Sequence, residues 1–140
     1  MPKKSIYMPD EAIEIVGCSE AGGFSQRIVG IIYDWARITH DAMPKLAEKE
    51  WLYLMDMMNG TVLGGRHAHF LGSDVAESGK DDGLAAKWDL DSMELAKRID
   101  AMPLSSKVAI QAVAYRFWQP HGIVENYRSV LEECGARVKD

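Results

Sequence analysis

Few residues of this chain combine types and spacing that could do chemistry. His67-Ala68-His69 sets two imidazoles two positions apart, and His40 and His121 complete the histidines. Imidazole is a common metal ligand, but no third ligand stands at a defined interval, so surface histidines are expected and no metal is assigned. Asp74, Glu77, Asp81 and Asp82 lack the regular ligand spacing of a calcium loop. Cys18 and Cys134 form no CxxC pair and have no histidine close in sequence, which argues against a thiolate nucleophile and against a disulfide framework. Ser105-Ser106 stands where a helix should open, so capping accounts for it. Gly22-Gly23 and Gly64-Gly65 lack the lysine or the strand that a phosphate loop needs. Neither an enzyme nor a cofactor is expected.

A different kind of chemistry is offered at the start of the chain. Residues Lys4 to Met8 alternate, with Ile6 and Met8 on one face and Ser5 and Tyr7 on the other, the two-residue period of a short strand. A lone four-residue strand leaves its backbone donors and acceptors unpaired, and no second strand follows nearby. The simplest partner is the same strand of a second copy, giving an antiparallel ribbon about a two-fold axis. Such a ribbon fits the DNA major groove and presents alternate side chains to base edges.

The elements that would position this ribbon are helices. Pro9-Asp10-Glu11 places acids at a helix start, where they favour the macrodipole, and Ala12, Ile13 and Val16 supply the apolar stripe. A second helix is expected from Ser25 as N-cap, with Ile28, Val29, Ile31, Ile32 and Trp35 at helical spacing. Asp41-Ala42-Met43-Pro44 interrupts the pattern, so the expected domains are residues 1–42 and 43–140. In the second domain a helix begins near Leu46 or Ala47, carries Trp51, Leu52, Leu54, Met55 and Met58, and stops at Asn59-Gly60. Five glycines between Gly64 and Gly83 suggest a partly mobile loop, with a brief ordered piece at His67 to Leu71. Asp91 caps a further helix closed by Met102-Pro103, Ser105 opens another that ends before Pro120, and a last one runs from about Ile123 to Cys134. The fold class is therefore mainly α, and Trp51, Trp88, Tyr115, Phe117, Trp118 and Tyr127 are read as core of a small helical domain.

Composition narrows the partners. The chain has 140 residues, 47% hydrophobic, enough for one globular unit or two small ones. With 16 Lys and Arg against 21 Asp and Glu the net charge is −5, which excludes a broad cationic surface, so any contact with a polyanion has to be local. No apolar run approaches the ~20 residues of a membrane span, and Lys3-Lys4 is not followed by the apolar stretch of a signal peptide. The expected compartment is the cytoplasm, in keeping with the cysteine usage.

The run Lys3-Lys4-Ser5-Ile6-Tyr7-Met8-Pro9-Asp10-Glu11, then Ile13 and Val16, then Gly23-Phe24-Ser25 and Ile28-Val29-Gly30-Ile31-Ile32, resembles the ribbon-helix-helix family of dimeric DNA-binding proteins, the Arc and MetJ type. The resemblance spans residues 1–38. It implies an N-terminal ribbon-helix-helix module of one short strand and two helices, acting as a homodimer or higher oligomer on double-stranded DNA. Carried over by position, Lys3, Ser5 and Tyr7 face the groove and Lys4 meets backbone or base acceptors. Ser25 marks the helix start whose amides hold a phosphate, and Arg27 adds a DNA contact. Ile6, Met8, Ile28, Ile31, Ile32 and Trp35 form the shared dimer core. The function implied is transcription regulation, as a repressor of the kind such families place in plasmids, phages and antitoxin systems. Tyr7 and Ser5 depart from the family's usual Arg, Lys, Gln or Asn at groove positions. The alternative is a protein-interaction module in which the ribbon only dimerises the chain and the C-terminal domain holds a protein partner.

Overall fold

A computed structural model of the chain describes residues 8–17, 23–60, 67–81, 83–117 and 126–140. Among them the protein is mainly helical, with eight α-helices, one 3-10 turn and a single two-stranded sheet. The chain divides into two compact units, Met1–Arg37 and Ile38–Asp140.

The N-terminal unit contains α1 (Asp10–Val16) and the greater part of α2 (Phe24–Ala42), the division falling inside α2. The expected strand at residues 4–8 lies outside the described residues, apart from Met8, which has no regular structure. Phe24 opens α2 and Ser25 is its second residue, so Ser25 is not the N-cap expected from sequence; Gly23 occupies that place.

The second unit is built around α3 (Glu48–Gly60). Trp51 to Met55 are all buried, as are Met57 and Met58. A helix that is apolar nearly all round belongs in the middle of a domain. Its two large polar-tipped side chains have partners: the Trp51 indole donates to the Arg137 carbonyl at 2.9 Å, and the Tyr53 hydroxyl to the Val75 carbonyl at 3.2 Å. Glu50, 6% exposed, accepts from the Ala47 amide at 2.9 Å, one arm of a capping box, and is paired with Arg98.

Before α3, Lys45–Leu46 forms β1 and pairs in parallel with β2 (Arg137–Val138), in the register Lys45↔Arg137 and Leu46↔Val138. Sequence periodicity assigned Leu46 to the edge of a helix. It is instead a strand residue, buried with Val138 on the inner face, and the helix starts at Glu48.

The largest departure from expectation is α4 (Leu71–Asp81), preceded by the 3-10 turn Ala68–Phe70, in the stretch read as a loop. Its glycines are packing residues. A Cβ on Gly72 would overlap the Asp100 carboxylate, and one on Gly79 would overlap the Ser92 side chain. Those two contacts lie at opposite ends of α6 (Ser92–Asp100), so α4 and α6 run antiparallel at close approach. Each helical glycine costs about 1 kcal/mol of propensity, which this packing offsets. Between them in the chain comes α5 (Leu84–Lys87), tied to α3 where the Asp56 carboxylate accepts from Lys87 Nζ at 2.8 Å and from the Trp88 indole at 3.1 Å.

Asp91 caps α6 as expected, accepting from the Met93 and Glu94 amides, each at 3.1 Å. Then α7 (Leu104–Phe117) and α8 (Tyr127–Glu133) complete the unit, the expected start of α8 near Ile123 lying outside the described residues. Ser106 does not cap its own helix. Its hydroxyl donates to the Ala42 carbonyl at 2.8 Å, satisfying one of the carbonyls left open at the end of α2. Arg137 reaches another of them, His40, at 2.7 Å, and the Met43 carbonyl just beyond the helix at 3.3 Å.

Candidate dimer and nucleic-acid interface

The short first helix is set by charge and by its ends. Asp10 and Glu11 lie in the first turn, where the positive end of the macrodipole stabilises them. Gly17 ends it at φ +86°, a conformation glycine reaches without strain, and its amide bonds the Ile13 and Glu14 carbonyls at 3.0 and 3.1 Å. The Gly17 carbonyl accepts from the Arg27 guanidinium, joining the end of α1 to the first turns of α2. Arg27 therefore has a structural partner beside any role toward DNA, and it stays exposed.

No residue of α1 is buried, and within residues 24–37 of α2 none is buried either. The sequence stripe is present as a continuous helical face. Ile28 and Trp35 are half-buried, while Ile31 and Ile32 remain 47% and 54% exposed. Met8 is half-buried. Sequence reasoning passed over Ile38, which continues the stripe seven residues beyond Ile31, and the exposed Ile15 and Tyr33. The spacing of Ile38 was the available signal; Tyr33, on the opposite side of the wheel, carried none.

Lys3, Lys4, Ser5, Ile6 and Tyr7 lie outside the described residues. Ser25 is exposed in the first turn of α2, where backbone amides have no partner within the helix and can take an anion.

The remaining chemical candidates are not brought together. His67 and His69 stack with ring centroids 5.8 Å apart beside Phe70, and His40 bonds Asp41 at 3.3 Å, while His121 is outside the described residues. Among the described residues no group of three or more His, Cys, Asp or Glu could hold a metal ion. Asp74 and Glu77 stand on α4 and not in a loop. Burial pushes the buried Cys134 thiol up from its ordinary value, with the Arg116 charge opposing and Glu133 reinforcing, so it is a poor nucleophile. Of the aromatics, Trp51 is core, Trp88, Phe117 and Tyr127 pack half-buried against it, and Tyr115 is half exposed.

No helix among the described residues is long and apolar enough to cross a membrane. Comparison with protein-family models, with curated proteins and with solved structures finds no match.

Proposed function

We propose that the protein is a dimeric, sequence-specific DNA-binding regulator of transcription, acting as a repressor through an intersubunit β-ribbon in the major groove. The observation that carries the reading is the uncovered face of α2. Ile31 and Ile32 are about half exposed and α1 contributes no buried residue, so the described residues of the N-terminal unit do not cover this face. A second copy about a two-fold axis would cover it and would place two Lys3-to-Met8 segments side by side. The resemblance of that segment and of the Gly23-Phe24-Ser25 helix start to the ribbon-helix-helix type supports DNA as the partner. In this reading Ser5 and Tyr7 meet base edges, Lys3 and Lys4 meet base or backbone acceptors, and the first amides of α2 near Ser25 and Arg27 hold a phosphate.

The test is selection from random duplexes at two salt concentrations with the full chain. Tyr7→Ala should reduce discrimination between selected and random DNA by about 1–3 kcal/mol, and Lys4→Ala should weaken both alike. Alanine at Lys3, Ser5 and Tyr7 together with no loss of binding would refute the reading.

A second reading, a protein-interaction module that the ribbon merely dimerises, is favoured by charge: residues 1–40 hold four Lys and Arg against five Asp and Glu. Phosphate neutralisation supplies most non-specific affinity for DNA, so an acidic module needs its cations concentrated at the groove.

A further inference from the structure

The small sheet of the second unit does more on its outer face than close the core. Parallel pairing makes Lys45 and Arg137 direct cross-strand neighbours, and both are exposed, while the alternate residues Leu46 and Val138 are buried. Lys139 continues the alternation. It is exposed, and its amide extends the ladder by donating to the Leu46 carbonyl at 2.8 Å. Three cationic side chains therefore share one face, about 5 Å apart across the strands and about 7 Å along one of them. Like charges directly opposite each other weaken a sheet, so the placing of Lys45 opposite Arg137 is a cost to the ladder itself.

Neighbouring acids are engaged elsewhere. Asp140 is held by Arg128 at 2.7 Å, Glu132 by the same guanidinium at 3.2 Å, Asp41 by His40 and Glu50 by Arg98. Among the described residues no carboxylate bonds Lys45, Arg137 or Lys139. Arg137 gives two of its N–H groups to the His40 and Met43 carbonyls, which fixes its position without cancelling its charge. Some other cations of this unit have acidic partners, Lys87 with Asp56 at 2.8 Å and Arg98 with Glu94 at 2.7 Å, whereas Lys49, Lys97 and Lys107 stand singly along their helices.

We propose that Lys45, Arg137 and Lys139 form a second nucleic-acid contact, to the sugar-phosphate backbone of duplex DNA, separate from the N-terminal ribbon. The inference rests on the DNA-binding reading above. Charge complementarity selects the occupant: Lys45 and Arg137 face each other across the strands and Lys139 stands two residues further along β2, three exposed cations spread over one face that suit the repeated charges of a polyanion. The contact carries no sequence information, because it touches no base. It adds affinity that the acidic N-terminal unit lacks.

The experiment measures binding of the full-length chain to a selected and a mixed-sequence duplex over a range of salt. The variants are Lys45→Glu with Lys139→Glu and, separately, Lys45→Ala with Lys139→Ala; Arg137 is left intact because it also holds the end of α2. Both double variants should bind the two duplexes more weakly by the same factor, roughly tenfold to a hundredfold at low salt, and the alanine pair should flatten the salt slope by about 1.8 for two lost phosphate contacts. Unchanged circular dichroism and thermal melting would separate this loss from unfolding. If the wild-type chain binds DNA and both double variants bind it with unaltered affinity and slope, the sheet face is not a DNA contact and the ribbon reading stands alone. If the wild-type chain binds no duplex at low salt, the DNA-binding reading and this inference fall together.

Discussion

The two units of this chain solve the problem of burying apolar surface differently. Within Ile38–Asp140, Trp51, Tyr53, Leu54, Leu95, Ile99, Ile110 and Leu131 are 0% exposed, each surrounded by residues of the same unit. Within the described part of Met1–Arg37 no residue reaches burial, although Ile28, Val29, Ile31, Ile32 and Trp35 give α2 as apolar a face as many core helices have. The contrast separates a unit that buries its own core from one whose described residues leave an apolar face open. Hydrophobic content alone does not distinguish them; the number of elements available to cover each stripe does.

The comparison is tested most severely by a cavity in the complete unit. Leu54→Ala should cost about 2–5 kcal/mol in denaturant unfolding, and it should leave the sedimentation of the folded chain unchanged. Loss of self-association in that variant would show that the units are not independent. Ile32→Glu is the converse. In a single copy the carboxylate points to water at a position 54% exposed, so the second unit should melt as before, whereas in a dimer it would enter the shared core. Analytical ultracentrifugation should show the dimer dissociation constant raised roughly a hundredfold or more. A folded wild-type monomer at micromolar concentration would remove the need for a partner altogether.

Smaller effects sharpen the picture of how the complete unit was assembled. Gly79→Ala should destabilise by about 1–3 kcal/mol, because the added methyl meets the short, buried Ser92 side chain, which has nowhere to swing. Gly72→Ala should be milder, since Asp100 is exposed and can turn its carboxylate aside. Equal losses at both positions would mean that backbone and not side-chain approach limits the α4–α6 pair. Asp91→Ala removes a cap that serves two amides and should cost about 1 kcal/mol, read as a shift in the thermal midpoint.

Where sequence was informative it was informative for local reasons. The Asp91 cap, the run from Trp51 to Met58 and the stripe of α2 depend on neighbours within a few residues, and each stands in the structure as a cap, a central helix and an amphipathic face. What escaped was set by distant residues. Glycine weakens a helix on its own, so Gly72 and Gly79 suggested a loop until α6 supplied the surface that needs them. Two-residue strands have no period to detect, and Lys45 gives no hint of Arg137 far along the chain. Ser106 suggested a cap for its own helix because nothing local reveals the Ala42 carbonyl. At the candidate interface the apolar face was legible and its cover was not, since spacing along one chain carries no information on what lies against a face.

The Arg137 clamp also has a consequence for the order in which the molecule takes shape. Its guanidinium meets the Met43 carbonyl across 94 residues of chain, and the β1–β2 ladder closes beside it. Bringing such ends together costs about 4 kcal/mol of loop-closure entropy, which a few hydrogen bonds recover only when α3 and α8 already stand in place. The sheet is then a latch set after the helices have condensed, and it acts chiefly on how fast the folded unit opens. The end of α2 is held beside this latch, so slow opening of the second unit would be felt early at α2.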